Sequence, residues 1–272
     1  MQSVADKGLV LLGCGKMGSA MLQGWLSNGL PASSVHVLDP YPSDWLTDLV
    51  AQGLNLNASL PDDPAICIVA VKPQMMGDAL SSLQAIVGGE TVLLSIAAGT
   101  SIASFQSVFG DDTRIVRAMP NTPAAIGQGI TALIGNAASA PSDVALCETL
   151  LQAVGDTVIL TDEAQMDAVT AVSGSGPAYV FHLIEALASA GHAQGLPADL
   201  AMTLAKSTVA GAGALAMKSN ESAAQLRINV TSPGGTTQAA LHVLMDPDNG
   251  FPSLLNRGVA AAADRSRALG KS

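Results

Sequence analysis

Six residues near the start of the chain, Gly13-Cys14-Gly15-Lys16-Met17-Gly18, restrict its fold more than any other stretch. They follow a short apolar run, residues 8–12, and open a helical pattern over residues 17–28. A strand that turns straight into a helix needs three positions free of a Cβ. Gly13 allows the tight turn, Gly15 lets a pyrophosphate approach the backbone, and Gly18 lets the helix pack on the strand. The first helical turn, with Cys14, Lys16 and Met17 set among the glycines, then offers its bare N–H groups to an anion. The pattern predicts a dinucleotide-binding βαβ unit.

The first half of the chain repeats this alternation. Strands are expected at residues 35–38, 66–71, 91–95, 114–118, 130–134 and 157–160. Helices are expected at 44–52, 75–86 and 144–154, with a short one between 95 and 114. Residues 66–71 are continuously apolar, as a parallel strand covered on both faces would be. The order implies an α/β fold of the Rossmann kind with a mostly parallel sheet. After residue 160 the strand signals stop, and helices are expected at 163–172, 178–194, 197–218, 222–228, 238–245 and 252–269. We therefore expect a dinucleotide-binding domain over residues 1–160 and an all-helical domain over residues 161–272.

Composition narrows the partners. Only 12% of residues are charged and 3% aromatic, so the helices are rich in Ala and suited to packing on more than one side, which favours an oligomer. The net charge of −10 and the absence of any Lys/Arg run argue against nucleic acid and against an anionic membrane surface. Glycines and polar residues interrupt every long apolar run, so no membrane span is expected. Cys14, Cys67 and Cys147 are odd in number and widely spaced, which fits neither a disulfide framework nor a zinc site and points to a reducing cytoplasm. His36, His182, His192 and His242 show no metal-ligand spacing, and no metal is expected.

Further residues gather at the expected strand ends. Asp39 lies 21 residues after Gly18, where an acid accepts hydrogen bonds from a ribose 2′-hydroxyl and repels a 2′-phosphate. NADH is thereby favoured over NADPH. Ala70-Val71-Lys72-Pro73 ends the buried strand, and Lys72 can hold the cofactor's diphosphate or ribose. Ala97-Ala98 and the segment from Met119 to Pro123 end the next two strands and face the same crevice. Far from these lies Val-Thr-Ser-Pro-Gly-Gly-Thr-Thr, residues 230–237. Ser232 suits a helix N-cap and Pro233 the first helical position, with Gly234 and Gly235 permitting close approach by a ligand. A small carboxylate is the expected guest.

These residues resemble the pyrroline-5-carboxylate reductase family. The resemblance rests on residues 230–237 followed by Ala240-Leu241, on Asp167-Ala168-Val169-Thr170 leading into Ser173-Gly174-Ser175-Gly176-Pro177-Ala178-Tyr179, on Ala70 to Pro73, and on Arg117 to Pro123. It implies hydride transfer from NADH or NADPH to the imine carbon of 1-pyrroline-5-carboxylate, giving L-proline in the last step of proline biosynthesis. It also implies a helical domain that interlocks with a partner into a homodimer, often within larger rings. By position Glu163, Asn229, Thr236 and Thr237 match family substrate contacts. The glycine loop, Ala70, Val71, Lys72, Pro73, Ala97 and Ala98 match cofactor contacts. A cofactor-contacting Asn of the family has its nearest counterpart in Asn57.

Reduction of an imine leaves electron density on nitrogen, so a donor is needed there, and Thr237 can supply it through its hydroxyl. Ser232 and the N–H groups around Gly234, Gly235 and Thr236 would take the carboxylate. Other readings are a reductase of a related imine, a hydroxyacid dehydrogenase, or a non-catalytic dinucleotide-binding sensor. The hydroxyacid enzymes use a Lys as general acid early in their second domain, where this chain has Val180. A sensor would have no use for the hydroxyl-rich segment at 231–237.

Overall fold

The computed structural model describes residues 2–71 and 75–270. Lys72 and Pro73 lie outside the described residues. The chain opens with α1 (Gln2–Lys7), β1 (Leu9–Leu12), α2 (Lys16–Ser27), β2 (Val35–Leu38), α3 (Asp44–Asp48) and β3 (Asn55–Leu56). It continues with β4 (Ile66–Val69), α4 (Met76–Ser81), β5 (Val92–Ser95), α5 (Ile102–Phe109), β6 (Ile115–Met119), β7 (Gly129–Gly135), α6 (Pro141–Leu151) and β8 (Gly155–Ile159). The strands form one sheet in the order β3-β2-β1-β4-β5-β6-β7-β8.

Neighbouring strands from β3 across to β6 are parallel. The expected parallel sheet reverses at one place, because β7 runs antiparallel to β6. The link between them holds only a single short 3₁₀ turn, Thr122–Ile126. A parallel crossover needs a dozen or more residues, so a link this short returns the chain antiparallel. The two-residue β3 was not expected at all, since Asn55-Leu56 carries no apolar run.

Strand alternation builds a core on each side of the sheet. Leu9 and Leu11 of β1 join Met21, Leu22 and Trp25 of α2 on one face. Val10 and Leu12 join Leu80, Leu83 and Phe105 on the other. Trp25 is fully buried, and its indole N–H donates to the Leu150 carbonyl (2.9 Å), fastening α2 to α6.

Beyond β8 come α7 (Met166–Val169), a π-type turn over Thr170–Gly174, and then α8 (Gly176–Ala193), α9 (Ala198–Lys218), α10 (Ala223–Asn229), α11 (Thr236–Leu244) and α12 (Phe251–Leu269). The described residues fall into two compact units, residues 2–174 with 263–270, and residues 175–262. Residues 161–174, which the sequence assigns to the helical part, pack with the first unit. Glu163 bonds to Arg117 and to the Ile102 N–H, and Ser266 Oγ donates to Asp167 Oδ1 (2.6 Å).

The second unit has almost no interior of its own. Ala188, Ala201 and Ala205 are its buried apolar side chains, whereas Phe181 is 59% and Met217 77% exposed. Leu183, Leu187, Leu200, Leu204 and Leu215 are also exposed. By length and composition α9 could also cross a membrane, despite Gly211 and Gly213 within it. An apolar surface of this extent marks an interaction face.

Cys14, Cys67 and Cys147 are unpaired and buried. Burial pushes the Cys67 thiol up to about 12. Burial, reinforced by the charge of Asp143, pushes Cys147 further still. At about pH 8 an aromatic disulfide reagent should therefore leave Cys67 and Cys147 untouched in the folded protein and label all three thiols only after denaturation. Rapid native labelling of two or more thiols per chain would contradict the packing described above.

Candidate functional site

The glycine loop takes the conformation its sequence requires. Gly13 has φ +87°, and a Cβ there would meet Val71 Cγ1 at 2.8 Å and the Ala70 carbonyl oxygen at 3.1 Å. Gly18 lies so close to the start of the turn that its Cβ would stand 2.6 Å from the Gly13 carbonyl oxygen. Gly15 differs, since a Cβ on it would meet nothing within 4 Å. The loop is thus closed toward the protein at Gly13 and Gly18 and open at Gly15, which is the shape a dinucleotide pyrophosphate needs. Gly15 is the N-cap of α2 and has no side chain to cap it. The N–H groups of Lys16, Met17 and Gly18 therefore have no carbonyl one turn back. Lys16 is exposed and Met17 half-buried at the same edge.

Asp39 closes this corner. Its Oδ2 accepts from the Cys14 N–H (2.7 Å) and its Oδ1 from the Tyr41 N–H (2.8 Å). Asn57 holds the Asp39 backbone on both sides, accepting from its N–H (2.9 Å) and donating to its carbonyl (2.8 Å). Asn57 does so with φ +50°, a left-handed conformation that Asn tolerates better than most residues. Asp39 thus fastens the glycine loop, a duty the sequence reading did not give it, while each oxygen keeps a lone pair free for a ribose. Burial, opposed by the Ser19 hydroxyl and reinforced by the Asp39 charge, raises the Cys14 thiol above its ordinary range.

Ala70 follows β4, its N–H donating to the Leu12 carbonyl (2.8 Å), with Val71 half-buried beside Gly13. Ala97 is buried after β5, where its N–H donates to Ser95 Oγ (3.3 Å), and Ala98 is half-buried. Gly99, at φ +76°, is backed by the end of α12, since a Cβ on it would stand 3.0 Å from Leu269 Cβ.

The substrate candidates divide between the two units. Asn229, Ser232, Gly234, Gly235, Thr236 and Thr237 belong to the second, and Glu163 belongs to the first. Residues 232–235 correct one expectation. Ser232 is not an N-cap and Pro233 does not begin a helix, because α11 starts at Thr236 with Gly235 as its cap. The Gly235 N–H donates to the Ser232 carbonyl (3.0 Å) and Gly234 has φ +71°. With Pro at the second position and a positive-φ Gly at the third, these residues make a type II turn.

That turn changes which donors are free. The Gly234 N–H is taken by Gln238 Oε1 (2.6 Å) and the Gly235 N–H by Ser232, so neither is offered to a ligand. The N–H groups of Thr236, Thr237 and Gln238 head the helix without a carbonyl one turn back. Ser232 and Thr236 are exposed and Thr237 is half-buried. Asn229 donates to Glu221 Oε2 (2.9 Å) and accepts from Gln225 Nε2 (2.8 Å), so Glu221 and Gln225 set its amide. Sequence reasoning missed both, though the i, i+4 spacing of Gln225 and Asn229 on a helix was a usable signal.

Glu163 is engaged within its own unit. Its Oε1 accepts from Arg117 Nη1 (2.6 Å) and from the Ile102 N–H (2.9 Å). Arg117, to which the sequence reading gave no site role, is a buried cation of the sheet, with 8% of its side chain exposed. Among the described residues no cluster of His, Cys, Asp and Glu could hold a metal ion.

A family model described as pyrroline-5-carboxylate reductase dimerisation matches residues 163–269. Another, described as NADP oxidoreductase coenzyme F420-dependent, matches residues 8–99. The chain is 37% identical over 268 residues to a pyrroline-5-carboxylate reductase of Pseudomonas aeruginosa, covering 96% of both proteins. A namesake from Pisum sativum is 38% identical over 264 residues, covering 96% of this chain and 95% of the relative. Among solved structures, a pyrroline-5-carboxylate reductase from Coxiella burnetii superposes with a TM-score of 0.89 at 30% identity, covering 98% of this chain and 99% of that one. A Plasmodium falciparum pyrroline carboxylate reductase with NADP bound superposes with a TM-score of 0.83, also at 30% identity, over 97% of this chain and 98% of that one.

Substitution Gly18→Ala should push α2 away from Gly13, since the clash is with backbone that cannot rotate aside. We expect a loss of about 1–3 kcal/mol in stability and a weaker grip on a dinucleotide, read by thermal unfolding and by cofactor titration. Gly15→Ala should leave stability within about 1 kcal/mol while weakening the same titration. An unchanged titration for both would remove the loop from the cofactor site.

Proposed function

Since this chain belongs to the pyrroline-5-carboxylate reductase family, we propose that it reduces the imine carbon of 1-pyrroline-5-carboxylate to give L-proline. It is an NAD(P)H-dependent oxidoreductase of proline biosynthesis. The observation that carries this reading is the 37% identity extending over 96% of both chains.

Bound NAD(P)H supplies the hydride. The α2 N-terminus would hold its pyrophosphate, with Gly15 leaving room for it and Cys14, Lys16 and Met17 bordering the loop. Ala70 and Val71 flank the loop, and Ala97 and Ala98 line the nicotinamide side. Asp39 accepts hydrogen bonds from the ribose and opposes a 2′-phosphate by charge repulsion, so NADH is the preferred donor.

The helical unit binds the imine. The N–H groups at the head of α11, from Thr236, Thr237 and Gln238, receive the carboxylate, and the helix dipole adds to their attraction. Ser232 borders this pocket, and the type II turn through Gly234 and Gly235 sets the direction in which α11 begins. Thr237 donates its hydroxyl hydrogen bond to the ring nitrogen as electron density arrives there. Asn229, held by Glu221 and Gln225, closes the pocket on the α10 side. Little acid–base chemistry is required, because a cyclic imine accepts hydride readily once protonated, and positioning supplies most of the rate.

Residues 163–269 match a dimerisation family, and the exposed leucines of α8 and α9 support a homodimer built through them. Larger rings of such dimers extend the same reading. The unpaired cysteines suit the reducing cytoplasm.

Purified protein should oxidise NADH in the presence of pyrroline-5-carboxylate, followed by loss of the reduced cofactor's absorbance. No turnover with either NADH or NADPH would overturn the assignment. Thr237→Val should lower turnover by about a hundredfold with cofactor affinity unchanged, and unaltered turnover would release Thr237 from its role. Asp39→Ser should raise the NADPH-to-NADH preference at least about tenfold, and a constant ratio would show that Asp39 does not read the ribose.

A further inference from the structure

Arg117 occupies the third position of β6, paired in register with Ser95 of β5 and Ile134 of β7. Its side chain is buried, and a guanidinium there is tolerated only with a counter-charge at close range. Glu163 provides it, with Oε1 at 2.6 Å from Nη1. The same oxygen accepts the N–H of Ile102, the first residue of α5. One carboxylate oxygen therefore joins three parts of the chain: a central strand, the segment after β8, and the head of α5.

What lies between β5 and α5 is residues 96–101, the stretch that holds Ala97 and Ala98. It is tied along its whole length, first by the Ile96 N–H, which donates to the Val69 carbonyl (3.0 Å). Ser95 Oγ accepts from the Ala97 N–H at its start. Leu269 backs Gly99 at its centre. At its end Ser101 caps α5 by accepting from the Ser104 N–H, and Glu163 accepts from the Ile102 N–H. The Glu163 tie is the only charged one of these, and its geometry is set by Arg117 rather than by its own exposed neighbours.

We infer that Arg117 and Glu163 are positioning residues for the cofactor loop at residues 96–101, acting on hydride transfer through that loop without touching the imine. The inference rests on the reading above that Ala97 and Ala98 line the nicotinamide side of the cofactor. Arg117 fixes the Glu163 carboxylate, Glu163 fixes the α5 head, and the loop between β5 and α5 is held at the width the cofactor needs. Glu163 thereby contributes to catalysis from the cofactor side.

A double-mutant cycle separates this from the alternatives. Glu163→Gln, Arg117→Met, the double variant and Arg117→Lys are measured for cofactor affinity without substrate, for KM toward pyrroline-5-carboxylate, and for cooperative thermal unfolding. Each single substitution should weaken cofactor binding about tenfold, and the double variant should be no weaker than the worse single. Arg117→Lys, which keeps a cation beside Glu163, should recover binding to within about threefold of the parent. The KM for the imine at saturating cofactor should stay within about twofold throughout. Should Arg117→Met fail to fold, the nearly isosteric Glu163→Gln and the charge-retaining Arg117→Lys decide the matter alone. A raised imine KM with unchanged cofactor affinity in Glu163→Gln would give Glu163 to the substrate and overturn the inference, as would single losses that simply add. Ala98→Asp tests the underlying reading separately, since a carboxylate there should repel the anionic cofactor. Unchanged affinity in Ala98→Asp would remove the loop from the cofactor site and the inference with it. Lost affinity in Ala98→Asp beside intact affinity in Glu163→Gln would overturn the inference alone.

Discussion

The first unit depends on how closely α2 can begin to the end of β1. A side chain at Gly18 would collide with the Gly13 carbonyl oxygen, so the helix starts where only glycine permits. That closeness puts the bare N–H groups of α2 at the carboxyl edge of the central strand. Once α2 is set, Trp25 reaches Leu150 across the sheet face and fixes α6. Asp39 then ties the end of β2 to the same loop through the Cys14 N–H. The shape of the loop and the exposure of the α2 N–H groups follow from one contact between two glycines.

The helical unit is built on the opposite logic. Its few buried side chains are alanines, and its larger apolar groups point outward. So few buried side chains offset little of the entropy lost in ordering the unit. The apolar length of α9 lies within the residues that match a dimerisation family.

The glycine loop and most of the sheet were legible because both are local patterns: a strand is an apolar run, and a turn into a helix carries its own glycines. What was not legible depended on distance or on competition between local patterns. The β7 reversal follows from a connection too short to cross over, which no propensity marks. Ser232-Pro233-Gly234-Gly235 fits a helix cap and a type II turn equally well as sequence. The left-handed backbone of Gly234 decides between them and moves the free donors to Thr236, Thr237 and Gln238. Glu163 reads as a first-turn acid of a helix, yet its partner Arg117 lies 46 residues upstream. Asp39 was read only as a partner for a ribose, and its clasp on Cys14 is set by three-dimensional proximity alone.

The end of α12 carries one more consequence. Residues 263–270 pack with residues 2–174, and Ser266 bonds Asp167 across 99 positions of sequence. During synthesis this stretch is the last of the described chain to leave the ribosome, well after the strands that precede Asp167. The first unit thus cannot be completed before residues 263–270 have been made, and Gly99 waits for Leu269 until then. The order of the chain itself delays a finished loop at residues 96–101 until the whole helical region has been made.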